Sequence, residues 1–177
     1  MAVVFEPFET ARLTIRQLVE EDARELTAIS DDARVSRWMS FMEDGFPLAK
    51  AQGLIAAQST SNESFFAVRT RNRTLVGALA TADHSNGTIE FGYWFGVDYQ
   101  GNGYAYEAVR GMLERIIADP LLASRPIIAE TLPDNAASIK LLTKAGLVAT
   151  GRPGHRPDRI EFAMPVRAPS RTRHLDL

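Results

Sequence analysis

The sequence predicts an α/β (α+β) fold: a mixed, mostly antiparallel central sheet flanked by helices. Three observations predict it. Strand-like segments at 65–69, 75–82 and 88–95 are separated only by the turn-like triplets Arg71-Asn72-Arg73 and Ser85-Asn86-Gly87, so they read as an antiparallel meander. Residues 103–118 carry the clearest helical period in the chain, with Ala105, Ala108, Val109, Met112, Leu113, Ile116 and Ile117 on one stripe. Between the last strand and that helix lies Tyr99-Gln100-Gly101-Asn102-Gly103-Tyr104-Ala105, where two glycines let the backbone turn sharply with no Cβ in the way.

The remaining elements follow in order. Residues 12–18 alternate, with Leu13 and Ile15 between polar neighbours, and read as a first strand. Residues 20–29 read as a helix with acidic residues in its first turn. A loop rich in large side chains follows: Trp38, Met39, Phe41, Met42 and Phe46. Residues 47–58 read as a second helix, with Pro47 near its start, where a missing N–H costs nothing. In the strand 88–95, Ile89, Phe91, Tyr93 and Phe95 share one face, and Glu90, Gly92 and Trp94 the other. Asp119-Pro120 ends the long helix. Residues 126–131 read as a buried strand. Asn135 starts a helix carrying Ile139, Leu142 and Ala145, and Gly146 stops it. Residues 147–150 and 160–166 read as the last strands, and 167–177 as a polar tail. Repeats and linkers are absent from this pattern, so 1–177 reads as a single domain with its core at 9–166.

Composition narrows the function. A chain of 177 residues, 45% hydrophobic, fits one domain with a real core. Its net charge of −2 gives no electrostatic footprint for nucleic acid. Cysteine is absent, which excludes disulfides, thiolate zinc sites and a cysteine nucleophile, and fits a cytoplasmic protein. Apolar runs fall well short of the roughly 20 residues of a membrane span. The N-terminal residues lack the basic region and apolar stretch of a secretory leader.

The glycine loop carries the chemistry. Unpaired N–H groups at the start of a helix point outward together, and with the helix dipole they bind phosphate. A dinucleotide fingerprint would need Gly or Ala three residues after Gly103, where Tyr106 stands, and the Gly-Lys-Ser/Thr of a P-loop does not occur. What fits is Gln/Arg-x-x-Gly-x-Gly/Ala, read as Gln100, Gly103 and Ala105. That pattern resembles the pyrophosphate loop of the GCN5-related N-acetyltransferase (GNAT) family, which binds acetyl-CoA. The order β-α-α-β-β-β-α-β-α-β-β extends the resemblance over 9–166. The run Leu132 to Ser138 followed by Leu141 to Leu147 resembles the family's Asn-x-x-Ser…Lys-x-Gly-Phe block, with Leu147 in place of Phe. Glu90-Phe91-Gly92-Tyr93-Trp94 is similar to the Glu-x-Gly-Tyr-Trp strand of the RimJ/RimL subgroup, which acetylates the N-termini of ribosomal proteins, while many of its relatives act on other amines.

The resemblance implies a sheet splayed at its middle, with the pantetheine arm of acetyl-CoA in the gap. It implies open backbone groups on Phe95, Gly96 and Val97, a bulge at Gly96, and a pyrophosphate held by the loop from Gln100 through Gly101, Asn102, Gly103 and Tyr104 to Ala105. Asn135 would cap its helix and also face the cofactor. A protonated amine has no lone pair, so acyl transfer to it needs a base. Glu90 is the candidate, directly or through water; the alternative is a carboxylate on a solvated sheet face. The Val97 amide is the candidate oxyanion donor. The last helix lacks the Tyr that many family members use as acid, which leaves Ser138. Trp38, Phe41 and Trp94 are assigned to the acceptor pocket, although the large side chains of their loop read equally as core. His155 reads as a solvated loop histidine or a second base, and Lys140 and Lys144 as a solvated helix face or a neutraliser of CoA phosphates.

The reading is therefore an acetyl-CoA-dependent N-acetyltransferase acting on a protein or peptide N-terminus. It uses no metal, binds neither nucleic acid nor membrane, and allows a homodimer. The alternatives are acetylation of an aminoglycoside or polyamine, for which Glu43 and Asp44 are a hint, and a non-catalytic acyl-CoA-binding module. A nucleotide-binding redox domain is disfavoured by the missing third glycine and by the meander.

Overall fold

The computed structural model describes residues 2–42 and 45–165. Glu43, Asp44, Val166 and the polar tail 167–177 lie outside the described residues. In chain order the elements are β1 (Phe8–Glu9), β2 (Leu13–Gln17), α1 (Ala23–Ser30), α2 (Ala33–Ser36), α3 (Leu48–Ala57), β3 (Glu63–Thr70), β4 (Leu75–Asp83), β5 (Ile89–Phe95), α4 (Tyr104–Ala118), β6 (Ile127–Thr131), α5 (Ala136–Lys144), β7 (Val148–Pro153) and β8 (Ile160–Ala163). They form one eight-stranded sheet in the order β1-β2-β3-β4-β5-β6-β8-β7. The meander β3–β4–β5 is antiparallel as the sequence predicts. Only β5 and β6, among the described residues, pair in parallel.

Both faces of the sheet are covered, because its strands alternate between two apolar sets. One core joins Ile89, Phe91 and Phe95 of β5 to the α4 stripe, Leu142 of α5, and Val3 and Phe5 of the N-terminal segment. The other joins Trp94 to Leu26 and Ile29 of α1, Ala51 and Ile55 of α3, and Met42 and Phe46. The loop of large side chains thus splits. Met42 and Phe46 are fully buried, while Trp38, Met39 and Phe41 face a cleft.

Several elements depart from the sequence reading. The two-residue β1 is too short to carry a period. The single-turn α2 stands where the sequence predicts loop; Asp32 caps it, its Oδ1 accepting from Arg34 N at 2.8 Å. The first predicted helix opens as a 3₁₀ turn over Glu20–Asp22 before α1. Ile117, placed on the buried stripe, is exposed near the end of α4. The strand predicted to stop at 150 continues to Pro153, because β7 is an edge strand, where Gly and Pro cost little.

Candidate active site

The sheet opens where β5 and β6 diverge. Among the described residues their pairing consists of Ile89 with Ile127 and Glu90 with Ile128. Beyond Glu90, β5 runs on to Phe95 without a partner on this edge among the described residues, while β6 stays paired with β8 on its other edge from Ile128 to Thr131. Ile89 N donates to Pro126 O at 2.8 Å, so Ile89 faces β6. Backbone direction alternates along a strand, so the Phe91 N–H closes the ladder on Ile128, and the Phe91 carbonyl and the main-chain groups of Tyr93 and Phe95 face the gap.

Of the predicted Phe95, Gly96 and Val97, Phe95 lies on this edge through its N–H, and Tyr93 joins it. The Phe95 carbonyl accepts from Gln100 Nε2 at 3.0 Å, the Gly96 carbonyl from Tyr99 N and the Val97 carbonyl from Gln100 N. The bulge expected at Gly96 is also absent. Its N–H donates to Val76 O at 3.1 Å and its backbone is extended. A Cβ at this position would lie 3.0 Å from the Ile29 Cβ of α1, so a larger residue would crowd that helix.

The gap is a cleft of about 1020 Å³. Its lining brings together most of the residues singled out from sequence: Glu90, Trp94 and Phe95 of β5; Gln100, Gly101, Gly103, Tyr104 and Ala105 of the loop; Asn135 and Ser138 at α5; and Trp38 and Phe41. Gly96, Val97 and Asn102 lie off the lining. Asn102 instead closes the loop on itself, Nδ2 donating to the carbonyls of Tyr99 and Gln100, each at 3.2 Å.

At one end stands the glycine loop. Gly101 and Gly103 have φ of +77° and +79°, a region that side chains rarely adopt. Gly103 is the N-cap of α4 and offers no side-chain cap, so the amides of the first turn remain available for an anion. Lys144 rests over the Tyr106 ring at 4.2 Å, and with Lys140 it lines this side of the cleft. Behind the loop, Arg12 donates to Asn102 O and to Glu107. Burial pushes the Glu107 carboxyl up, but bonds from Thr10 and Arg12 outweigh it and hold the carboxyl below the usual range.

In the middle, Tyr93 reaches from β5 to α5. Its hydroxyl lies 2.9 Å from Ser138 Oγ. Burial pushes the phenol up to about 12 against the opposing Ser138 hydrogen bond, so it stays protonated at neutral pH. Asn135 Oδ1 accepts from Ser138 N at 3.1 Å, which makes Asn135 the cap of α5 and fixes the turn carrying Ser138.

At the other end, Glu90 is 6% exposed and does not lie on a solvated face. Its Oε2 lies 2.9 Å from His84 Nε2, and its Oε1 accepts from Arg156 Nη1. Arg156 also reaches Glu130 Oε2 at 3.2 Å. Burial works against the Arg156 charge, yet its bond to Glu90 and the attraction of Glu90, Glu130 and Glu63 hold the guanidinium above its usual range. His155 donates its main-chain N–H to Glu130, and its ring lies 4.9 Å from that of His84. Arg159 Nη2 donates to Trp38 O at 2.7 Å, tying the β7–β8 loop to the aromatic wall. In that wall, Phe41 meets Trp94 edge to face at 5.7 Å, and Trp94 Nε1 donates to Ser30 Oγ at 2.8 Å. Arg12, Tyr93, His84 and Arg156 were not assigned roles from sequence. Tyr93 alone had a local signal, standing in the quoted strand motif.

Residues 12–148 match the family model described as the acetyltransferase (GNAT) domain. The chain belongs to the GNAT acetyltransferase family. This acetyltransferase is 27% identical over 153 residues, 82% of its length and 84% of the relative's, to the uncharacterized N-acetyltransferase p20 of Bacillus licheniformis. Its fold is similar to that of RimL, a ribosomal-protein alpha-N-acetyltransferase solved with coenzyme A, at TM-score 0.78 and 15% identity, covering 91% of this chain and 98% of that one. It is also similar to the spermidine N-acetyltransferase of Vibrio cholerae solved with CoA and spermine, at TM-score 0.71 and 17% identity, covering 87% and 94%. The splayed gap and the glycine loop thus belong to a GNAT fold. Among the described residues no cluster of His, Cys, Asp or Glu suits a metal, and no helix is long and apolar enough to cross a membrane.

Proposed function

We propose that this GNAT acetyltransferase moves an acetyl group from acetyl-CoA to a primary amine by direct attack, the amine being a protein or peptide N-terminus. The observation that carries this is the single cleft running from the glycine loop, past the open edge of β5, to Glu90. The fit to acetyl-CoA rests on this chain's own features: loop amides for the pyrophosphate and an unpaired strand edge for the amides of the pantetheine arm. Bound acetyl-CoA supplies the acyl group and the thiol leaving group.

Glu90 takes a proton from the acceptor ammonium, directly or through water, and His84 on its other oxygen offers that proton a way to solvent. The freed amine attacks the thioester carbonyl. The main-chain N–H groups of Tyr93 and Phe95 hold the developing oxyanion, since the Val97 amide expected in that role lies off the cleft lining. As the intermediate collapses, its nitrogen sheds a second proton to Glu90, which has passed the first on toward solvent, and Ser138 gives its proton to the departing thiolate and regains one by way of Tyr93. Ser138→Ala is therefore expected to slow turnover about tenfold, the worth of one well-placed hydrogen bond, with acetyl-CoA affinity preserved. Tyr93→Phe should give a similar loss. Steady-state kcat beside a calorimetric Kd separates these outcomes from a structural role, in which affinity would collapse.

The acceptor class is supported by the RimJ/RimL-like strand Glu90–Trp94 and by the charge balance of the cleft. A polyamine carries several cations and needs several free carboxylates. Among the described residues the cleft carboxylates are Glu63, Glu90 and Glu130, and Arg156 engages the last two. A peptide N-terminus brings a single charge. The test is thiol release from acetyl-CoA with Ala-, Ser- and Met-starting peptides, polyamines and aminoglycosides. Release with peptides supports the proposal. Release only with a small amine keeps the transferase and discards the peptide acceptor. Binding of acetyl-CoA with no release in the presence of any acceptor would favour a non-catalytic module.

A further inference from the structure

The glycine loop is held from behind by a side chain outside its motif. Arg12 stands one residue before β2 and 90 residues before Asn102. Its Nη1 donates to Asn102 O at 3.0 Å and its Nε to Glu107 Oε2 at 2.7 Å. The Arg12 main-chain N–H and the Thr10 hydroxyl both donate to Glu107 Oε1, at 2.7 and 2.6 Å. The guanidinium lies flush with the loop: its centre is 4.8 Å from the Tyr104 ring, and a Cβ on Gly103 would come within 3.4 Å of its Nη2. Arg12 does not line the cleft, whereas Gly103 and Tyr104 do.

The direction of one peptide follows from these contacts. In a planar trans peptide, the carbonyl of one residue and the N–H of the next point opposite ways. Drawing the Asn102 carbonyl toward Arg12 therefore turns the Gly103 N–H away from Arg12. Turns with glycine at positive φ are related to others by a flip of a single peptide, at little steric cost to glycine. The flip would aim a carbonyl, not an N–H, at an arriving anion. Glu107 completes the device. Standing in the first turn of α4, it would repel an anion if free, but here its charge is matched by Arg12, whose side chain it holds in place.

We propose that Arg12, anchored by Glu107, is a positioning residue that fixes the loop amides for the diphosphate of CoA. This rests on the reading that the loop holds that diphosphate. The experiment measures binding of coenzyme A and of pantetheine, which lacks the phosphates, by calorimetry to the wild type, Arg12→Ala, Arg12→Lys and Glu107→Gln. Arg12→Ala should weaken CoA binding about ten- to a hundredfold, the worth of a hydrogen bond from a charged group, and leave pantetheine binding unchanged. Arg12→Lys cannot reach both Asn102 O and Glu107 and should fall between. Glu107→Gln frees the guanidinium and should lose several-fold on CoA alone; it carries the test should Arg12→Ala fail to fold. A wild-type preference for CoA that these variants retain would overturn the Arg12 inference and leave the loop reading standing. So would equal loss of both ligands. A wild type that binds CoA and pantetheine alike would remove the loop reading and the inference with it.

Discussion

Glu90→Gln is expected to lower kcat/KM at neutral pH by about a hundredfold or more, the usual range for removing a general base. An α-amino group has a pKa of about 7.7–8.0, so at neutral pH most of the acceptor is an ammonium with no lone pair to attack. The loss should therefore shrink toward about pH 9, where free amine is abundant without help. The isosteric amide keeps the packing of a residue that is 6% exposed. Arg156 retains Glu130 as partner, so the guanidinium is not stranded. Melting temperature should move little, which separates a chemical loss from a folding one. A carboxylate has about four acceptor positions, and His84 and Arg156 occupy two of them. The rest are available to an acceptor or a bridging water. A pH–rate profile that matches the wild type throughout would remove Glu90 as the base.

The parts of this protein legible in the sequence are those that local physics repeats. The alternation of Ile89, Phe91, Tyr93 and Phe95 against Glu90 and Trp94 gave the two faces of β5, and the two cores honour it. Gly101 and Gly103 marked a turn that needs positive φ, and both have it. Asn135 marked a cap, and it is one. What sequence could not show are pairings between distant segments. Arg12 and Asn102 are 90 residues apart, and Glu90 and Arg156 are 66 apart. Neither pair leaves a period or a motif, and the opposite charges of Glu90 and Arg156 say nothing of each other until β6 and β8 bring the β7–β8 loop across the cleft. Tyr93 shows the intermediate case. Its strand and face were legible, but its hydroxyl partner on α5 depends on how far β5 and β6 diverge. The bulge expected at Gly96 has the same origin: the glycine sits against Ile29, which is distant in sequence and adjacent only in the fold.

Asp22→Asn is expected to destabilise the fold by about 3 kcal/mol at neutral pH, the lower end of what breaking a buried ion pair costs. Asp22 is 1% exposed, and its two oxygens accept four hydrogen bonds: from Arg16 Nη1 and Nη2 at 2.6 and 2.7 Å, from Val19 N at 2.9 Å, and from Arg69 Nη2 at 2.6 Å. Arg69 goes on to both oxygens of Glu25 on α1. The cluster therefore joins β2, β3 and α1, and α1 in turn supplies Ser30 to Trp94 and Ile29 to Gly96. Burial alone would raise the Asp22 carboxyl, but the bonds from Arg16, Val19 and Arg69 outweigh it and hold the group below its ordinary 3.8. A carboxyl lowered in the folded state contributes stability that is complete above its unfolded pKa and lost as pH falls through the folded one. The gap between wild type and Asp22→Asn should then be full at pH 7 and narrow in acid, as pH falls below 3.8 and on through the lowered folded value. Urea denaturation at pH 7 and through the acid range reads this directly. A gap that persists unchanged in acid would mean that Asn fails there through shape, not charge.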